Sequence, residues 1–181
     1  MKCLKCSKEA TVKYPNGDLC NDCFIEILTN RIKKDTKNHV QFKKGDKILV
    51  FGKLAKIFLE KVVGNIPLEI TEADEKYNSD AIKKYFPDFD KVVIPWTADD
   101  EAESFYNELT SDESEFNKEN NVIVKIFKMI LDKELSMAAK ILNMNFEIPS
   151  RNSDIERIQK KYPGSKFGLV KSAEEFRKAL E

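Results

Sequence analysis

Apolar residues recur along this chain with two periods, and the switches between them divide it into elements. Over 10–14 the residues Ala10, Thr11, Val12, Lys13 and Tyr14 alternate as a short strand does, and Pro15, Asn16, Gly17 and Asp18 supply turn chemistry. Phe24, Ile25, Ile27, Leu28 and Ile32 then recur at helical spacing and predict a helix over 24–34. The run 47–52 predicts a buried strand, and Leu54, Ile57, Phe58 and Val62 put one apolar face on a helix over 53–63, which Gly64 and Asn65 stop.

A second short strand is expected over 67–70, a helix over 79–86 capped by Ser79 or Asp80, and a third strand in the β-branched run 91–95. Thr97 and Asp100 have the spacing of a capping box, with Phe105 and Leu109 on the apolar face behind it. The polar, acidic stretch 110–121 reads as a loop. Ile126, Phe127, Ile130, Leu131, Leu135, Ala138, Ile141 and Leu142 predict one long helix or two short ones over 122–142. A helix over 153–162 begins at Ser153 or Asp154 and is stopped by Pro163 and Gly164; 167–170 reads as extended, and Ser172 with Glu175 caps a last helix over 173–180. Strands alternating with helices predict an α/β class with a parallel sheet and crossover helices.

Chemistry is densest at the amino terminus. Cys3-x-x-Cys6 and Cys20-x-x-Cys23 are two CxxC pairs with thirteen residues between them. Each pair places two thiolates on a tight turn, and two such turns together give the four-sulfur tetrahedron that zinc prefers. The pattern predicts a small zinc ribbon over 1–40, including a basic helix, ahead of an α/β domain over 41–181. Two disulfides, an iron–sulfur cluster and four unrelated buried thiols are the competing readings.

Composition narrows the class. With 41% hydrophobic and 34% charged residues the chain is expected to be a globular, water-soluble protein. No apolar run approaches the length of a membrane span and the metal motif begins at Cys3, so no membrane partner and a cytoplasmic location are expected. Net charge is zero but unevenly spread: fourteen Lys/Arg face seven Asp/Glu up to Ile66, and seventeen face twenty-four beyond it. The basic half makes Arg31, Lys33, Lys34 and Lys37 candidates for sequence-blind phosphate contacts with RNA, or simply a solvated helix face.

Other chemistry is sparse. In an open α/β sheet a nucleotide site belongs after the first strand, where Gly52 and Lys53 offer one glycine and one lysine, a poor phosphate cradle. All four cysteines fall in the ribbon, which leaves no thiol for sulfur relay or nucleophilic catalysis. His39, the sole histidine, sits in a polar stretch and reads as solvated, and Asp99, Asp100 and Glu101 read as helix-start electrostatics. Trp96, beside Pro95, reads as core or interface.

Together these residues resemble a known family, the PP-loop ATPases that thiolate transfer RNA, and specifically the cytoplasmic tRNA 2-thiolation proteins. Cys3-x-x-Cys6 with Cys20-x-x-Cys23-Phe24, and the basic helix bearing Arg31 and Lys34, look like that family's amino-terminal zinc finger. Lys47-Ile48-Leu49-Val50 stands where the family's first strand leads into its PP-loop. Thr97-x-Asp99-Asp100-Glu101-Ala102, Lys133-Glu134-Leu135 and the tail from Tyr162 to Ser172 are similar to further segments. The resemblance implies zinc on the four cysteines and a reduced PP-loop (adenine nucleotide alpha hydrolase-like) domain.

Departures from the family qualify its chemistry. Active members carry a Ser-Gly-Gly-x-Asp-Ser type loop for ATP, where this chain keeps only Gly52 and Lys53, and they carry further cysteines in the catalytic domain, which this chain lacks. It is also shorter than a full member. The resemblance therefore implies a shortened, degenerate, non-catalytic subunit of wobble-uridine 2-thiolation that binds an active thiolase subunit, a second copy of itself, or tRNA. A nucleotide-binding thiolation or adenylation enzyme using Gly52 and Lys53, and a stand-alone zinc-ribbon adaptor, are the alternatives.

Overall fold

A computed structural model describes residues 1–110 and 122–180 of the chain. After a short ribbon over 1–20, helix α1 runs Asn21–His39, followed by β1 (Lys47–Phe51), α2 (Lys53–Val63), β2 (Glu69–Ala73) and α3 (Ser79–Tyr85). Then come β3 (Lys91–Thr97), α4 (Ala98–Thr110), β4 (Ile123–Phe127), α5 (Asp132–Ile141), α6 (Ser153–Lys161) and α7 (Ser165–Ala179). The four strands form one parallel sheet in the order β2-β1-β3-β4. The α/β class and the parallel sheet are as expected.

Local chemistry explains the geometry. Ile48, Leu49, Val50 and Phe51 are all buried, because a parallel strand between crossover helices is covered on both faces. One sheet face and α2 share a core with Phe127, Ile130 and Leu135, while Leu49, Phe51, Val92 and Ile94 pack with Ala81 on the other. In β3, Pro95 cannot donate to the ladder. The register with β4 shifts there, from Ile94 opposite Lys125 to Thr97 opposite Phe127, so Pro95 and Trp96 bulge against one residue.

The ribbon is not a separate globule. Cys3, Cys20, Cys23, Phe24, Leu28 and Ile32 belong to the same apolar cluster as Ile48, Val50, Phe58 and Val124, so the core crosses the expected 40/41 boundary.

Several expectations change. The segment 122–142 is not helical throughout: Ile123–Phe127 is the fourth strand, and only Asp132–Ile141 is helix. Val122, Ile123, Val124, Ile126 and Phe127 are β-branched or aromatic, and a short apolar run of this kind fits either element until a neighbouring strand decides it. The expected extended piece at 167–170 lies inside α7, whose buried face is Lys166, Val170, Ala173 and Arg177 at helical spacing. Half of that face is charged, which hid its period. Helix α1 is longer than 24–34, β2 lies at Glu69–Ala73 rather than 67–70, and β3 extends through Thr97. Asn78 Oδ1 accepts from the Ala81 amide at 2.8 Å and Asn152 Oδ1 from the Asp154 amide at 2.9 Å, so asparagines cap α3 and α6. The stretch expected as a loop lies, from 111 to 121, outside the described residues.

Candidate metal centre and sheet-end crevice

The ribbon is two turns and a hairpin built to converge. The Ser7 amide returns to the Cys3 carbonyl at 3.0 Å and closes the first knuckle. Val12 and Leu19 pair antiparallel, with both amide-to-carbonyl bonds at 2.9 Å, and carry the second pair back over the first. At the hairpin tip Gly17 has φ +127°, a conformation strained for any side chain, and a Cβ there would meet the exposed tip of Leu4, Cδ2, at 3.0 Å. Helix α1 starts at Cys20, whose carbonyl accepts from the Phe24 amide, and Cys23 sits in its first turn near the positive end of the helix dipole.

The four Sγ atoms all lie within 4.8 Å of one another, and Cys6 Sγ is 3.6 Å from Cys20 Sγ. That distance excludes a Cys6–Cys20 disulfide, whose sulfurs would be about 2.05 Å apart, and all four cysteines are free thiols. It fits one tetrahedral ion, since bonds of about 2.3 Å set neighbouring thiolates about 3.8 Å apart. Burial raises the Cys3 thiol, but amide hydrogen bonds from Cys20, Lys5 and Cys6 outweigh it and bring it down to about 6. Cys23 is pushed up, first by burial and then by the other thiols. Four thiolates this close repel one another, and a bound dication removes that conflict.

Of the candidate RNA-contacting residues, Lys33, Lys34 and Lys37 are exposed. Arg31 is turned inward. Its guanidinium binds Glu134 Oε1 at 2.5 Å, the Tyr14 hydroxyl at 3.1 Å and the Met129 carbonyl, and lies 5.2 Å from the centre of the Phe167 ring. Lys33 and Lys37 also edge a groove of ≈ 530 Å³ whose floor includes Val40, Phe42, Val63 and Ile66.

Because β1 lies between β2 and β3, the chain reverses direction across the sheet at β1 and β3, and their carboxyl ends define the switch-point crevice. Gly52 stands on one side with φ +87° and nothing within 4 Å of a Cβ built on it, and Lys53 opens α2. Thr97 and Asp100 stand on the other, linked reciprocally: the Thr97 amide donates to Asp100 Oδ2 at 2.7 Å and the Asp100 amide to Thr97 Oγ1 at 3.2 Å. This is the expected capping box.

What the sequence did not announce is the ionic cluster beside it. Arg151 donates to Asp132 at 2.7 Å and pairs with Asp100 at 2.8 Å and Glu103 at 3.1 Å. Buried Lys166 bridges Asp99 and Glu156, and buried Arg177 bridges Glu101 and Glu108. Glu101 also accepts from Trp96 Nε1 and Lys125 Nζ, each at 2.7 Å. Burial would raise the Glu101 carboxyl, but Lys125, then Arg177 and Lys128, hold it down at about 2. Asp132 moves the other way, raised by burial and by neighbouring Asp99. Asp99 and Glu101 are thus buried ionic partners and not only helix-start electrostatics. One signal was available in principle: Lys166 and Arg177 fall on the period of Val170 and Ala173.

No family model matches this sequence. No curated protein matches it either. Among the described residues no helix is long and apolar enough to cross a membrane. A solved structure does match: the U34-tRNA thiolase NcsA from Methanococcus maripaludis, described with its 4Fe–4S cluster, at TM-score 0.70 and 17% identity over 100% of this chain and 88% of that chain. The chain therefore has a fold similar to that thiolase, an α/β architecture with a four-stranded parallel sheet behind an amino-terminal four-cysteine cluster.

Proposed function

We propose that this chain is a zinc-ribbon, thiolase-like subunit of tRNA wobble-uridine 2-thiolation that contributes binding rather than chemistry. The observation that carries this reading is the convergence of all four cysteines on one centre within a thiolase-like fold. A single tetrahedral zinc accounts for their spacing, and it leaves no thiol for persulfide chemistry or for a separate cluster. Cys3, Cys6, Cys20 and Cys23 would hold the ion, whose contribution is folding energy for a ribbon with little core of its own. Lys33, Lys34 and Lys37 supply phosphate contacts to tRNA, and Arg31 fixes the helix that presents them. The α/β domain, with a one-glycine turn at its switch point, supplies the surface for an active thiolase partner.

One observation favours an enzyme instead: the turn at Gly52 is open, at the position where α/β sheets bind nucleotides. Calorimetry with ATP and magnesium separates the two. The binding-subunit reading predicts no heat of binding. A binding heat that Lys53→Ala abolishes would overturn it in favour of a nucleotide-dependent enzyme.

A further inference from the structure

We propose that Asp35, His39 and Glu174 form a second metal site, for a borderline dication such as zinc, cobalt or nickel, independent of the four cysteines. Asp35 and His39 are four residues apart on α1 and share a face, and Glu174 of α7 meets them. Their donor atoms all lie within 4.8 Å of one another, a convergence of metal-ligating groups otherwise seen, among the described residues, only at the cysteines.

The distances leave room for an ion. His39 Nε2 is 3.7 Å from Asp35 Oδ1 and 3.8 Å from Glu174 Oε1, within ion-pair range but too long for hydrogen bonds. Ligands held by one ion at about 2.1 Å are about 3.0–3.4 Å apart, so a contraction of a few tenths of an ångström completes the set. The Asp35 and Glu174 side chains are 15% and 18% exposed and that of His39 34%, which gives partly desolvated carboxylates behind an open approach.

The surroundings suit a ligand set. Buried Lys128 holds Glu174 Oε1 at 3.0 Å, as an outer partner holds a ligating carboxylate in orientation. One imidazole nitrogen with two carboxylate oxygens favours zinc, cobalt or nickel over magnesium or calcium, and three protein donors leave a position for water. An ion here would clamp the carboxyl end of the ribbon helix to the last helix.

The test uses the full chain stripped of metal, titrated with zinc alone and weighed by native mass spectrometry. Two ions per wild-type chain are expected, and one in His39→Ala and in the conservative Glu174→Gln. Cobalt separates the sites: the thiolate-to-metal charge-transfer bands persist in both variants, while the weaker ligand-field bands of the second ion disappear. A wild-type chain that takes one ion only, with thiolate bands, overturns the proposal, as does a His39→Ala chain that still takes two. One cobalt without thiolate bands, lost in His39→Ala, would uphold this site and overturn the cysteine one.

Discussion

Arg31 leaves the middle of the ribbon helix and pairs with Glu134 in the first turn of α5 at 2.5 Å, while Tyr14 from the hairpin shares the same carboxylate at 3.0 Å. Glu134 spends its other oxygen on the Leu131 amide at 3.0 Å, so one side chain both caps α5 and receives the ribbon. The metal-bearing part of the chain is thereby fastened to the carboxyl edge of the sheet.

Arg31→Met is expected to cost about 2 kcal/mol, the loss of charge-assisted hydrogen bonds to a largely buried carboxylate. Urea denaturation would show it as a lower midpoint at unchanged slope. A change below about 0.5 kcal/mol would mean that the pair is no more than a surface contact.

Cysteine substitution should reach beyond the ribbon. Because Cys20 and Cys23 lie in the same apolar cluster as Ile48 and Phe58, Cys23→Ser is expected to abolish metal binding at the four-cysteine centre and lower the melting temperature of the whole chain in one transition. Two separated transitions, with the sheet unaffected, would show an independent ribbon.

Acid stability has a defined window. Glu101 is held at about 2, below its ordinary value of 4.5, so the unfolded chain takes up the proton first. The contribution is complete above about 4.5 and fades as pH falls toward 2, and Glu101→Gln should flatten that limb while costing about 3 kcal/mol at neutral pH. Stability measured against pH checks the slope. An unchanged acid limb in the variant would assign it to other carboxylates.

Phosphate contact by the exposed lysines predicts salt-dependent tRNA binding. Removing Lys33 and Lys34 together should lower the slope of log affinity against log salt by about 1.5–2 and weaken binding uniformly across RNA sequences. Filter binding at several salt concentrations reads this directly; an unaltered slope would make the two lysines a solvated face.

The sequence was legible where a local rule is strong. CxxC spacing identified the four-cysteine cluster, and alternating strands and helices identified the parallel sheet, since both depend on neighbours in sequence. Ile123–Phe127 was misread because its strand character is decided by β3, far away in the chain. The face of α7 escaped because Lys166 and Arg177 look exposed until Asp99, Glu101 and Glu108 arrive from α4. Arg31 looked like a free cation for the same reason: its partner is 103 positions away. Contacts between distant charges leave no periodic trace.

The central claim is tested most directly by purifying the chain natively and identifying by mass spectrometry what remains bound to it. The account predicts an intact thiolase-like partner carrying its own PP-loop and catalytic cysteines, with tRNA in the same complex. Recovery of the chain with neither such a partner nor tRNA would contradict it.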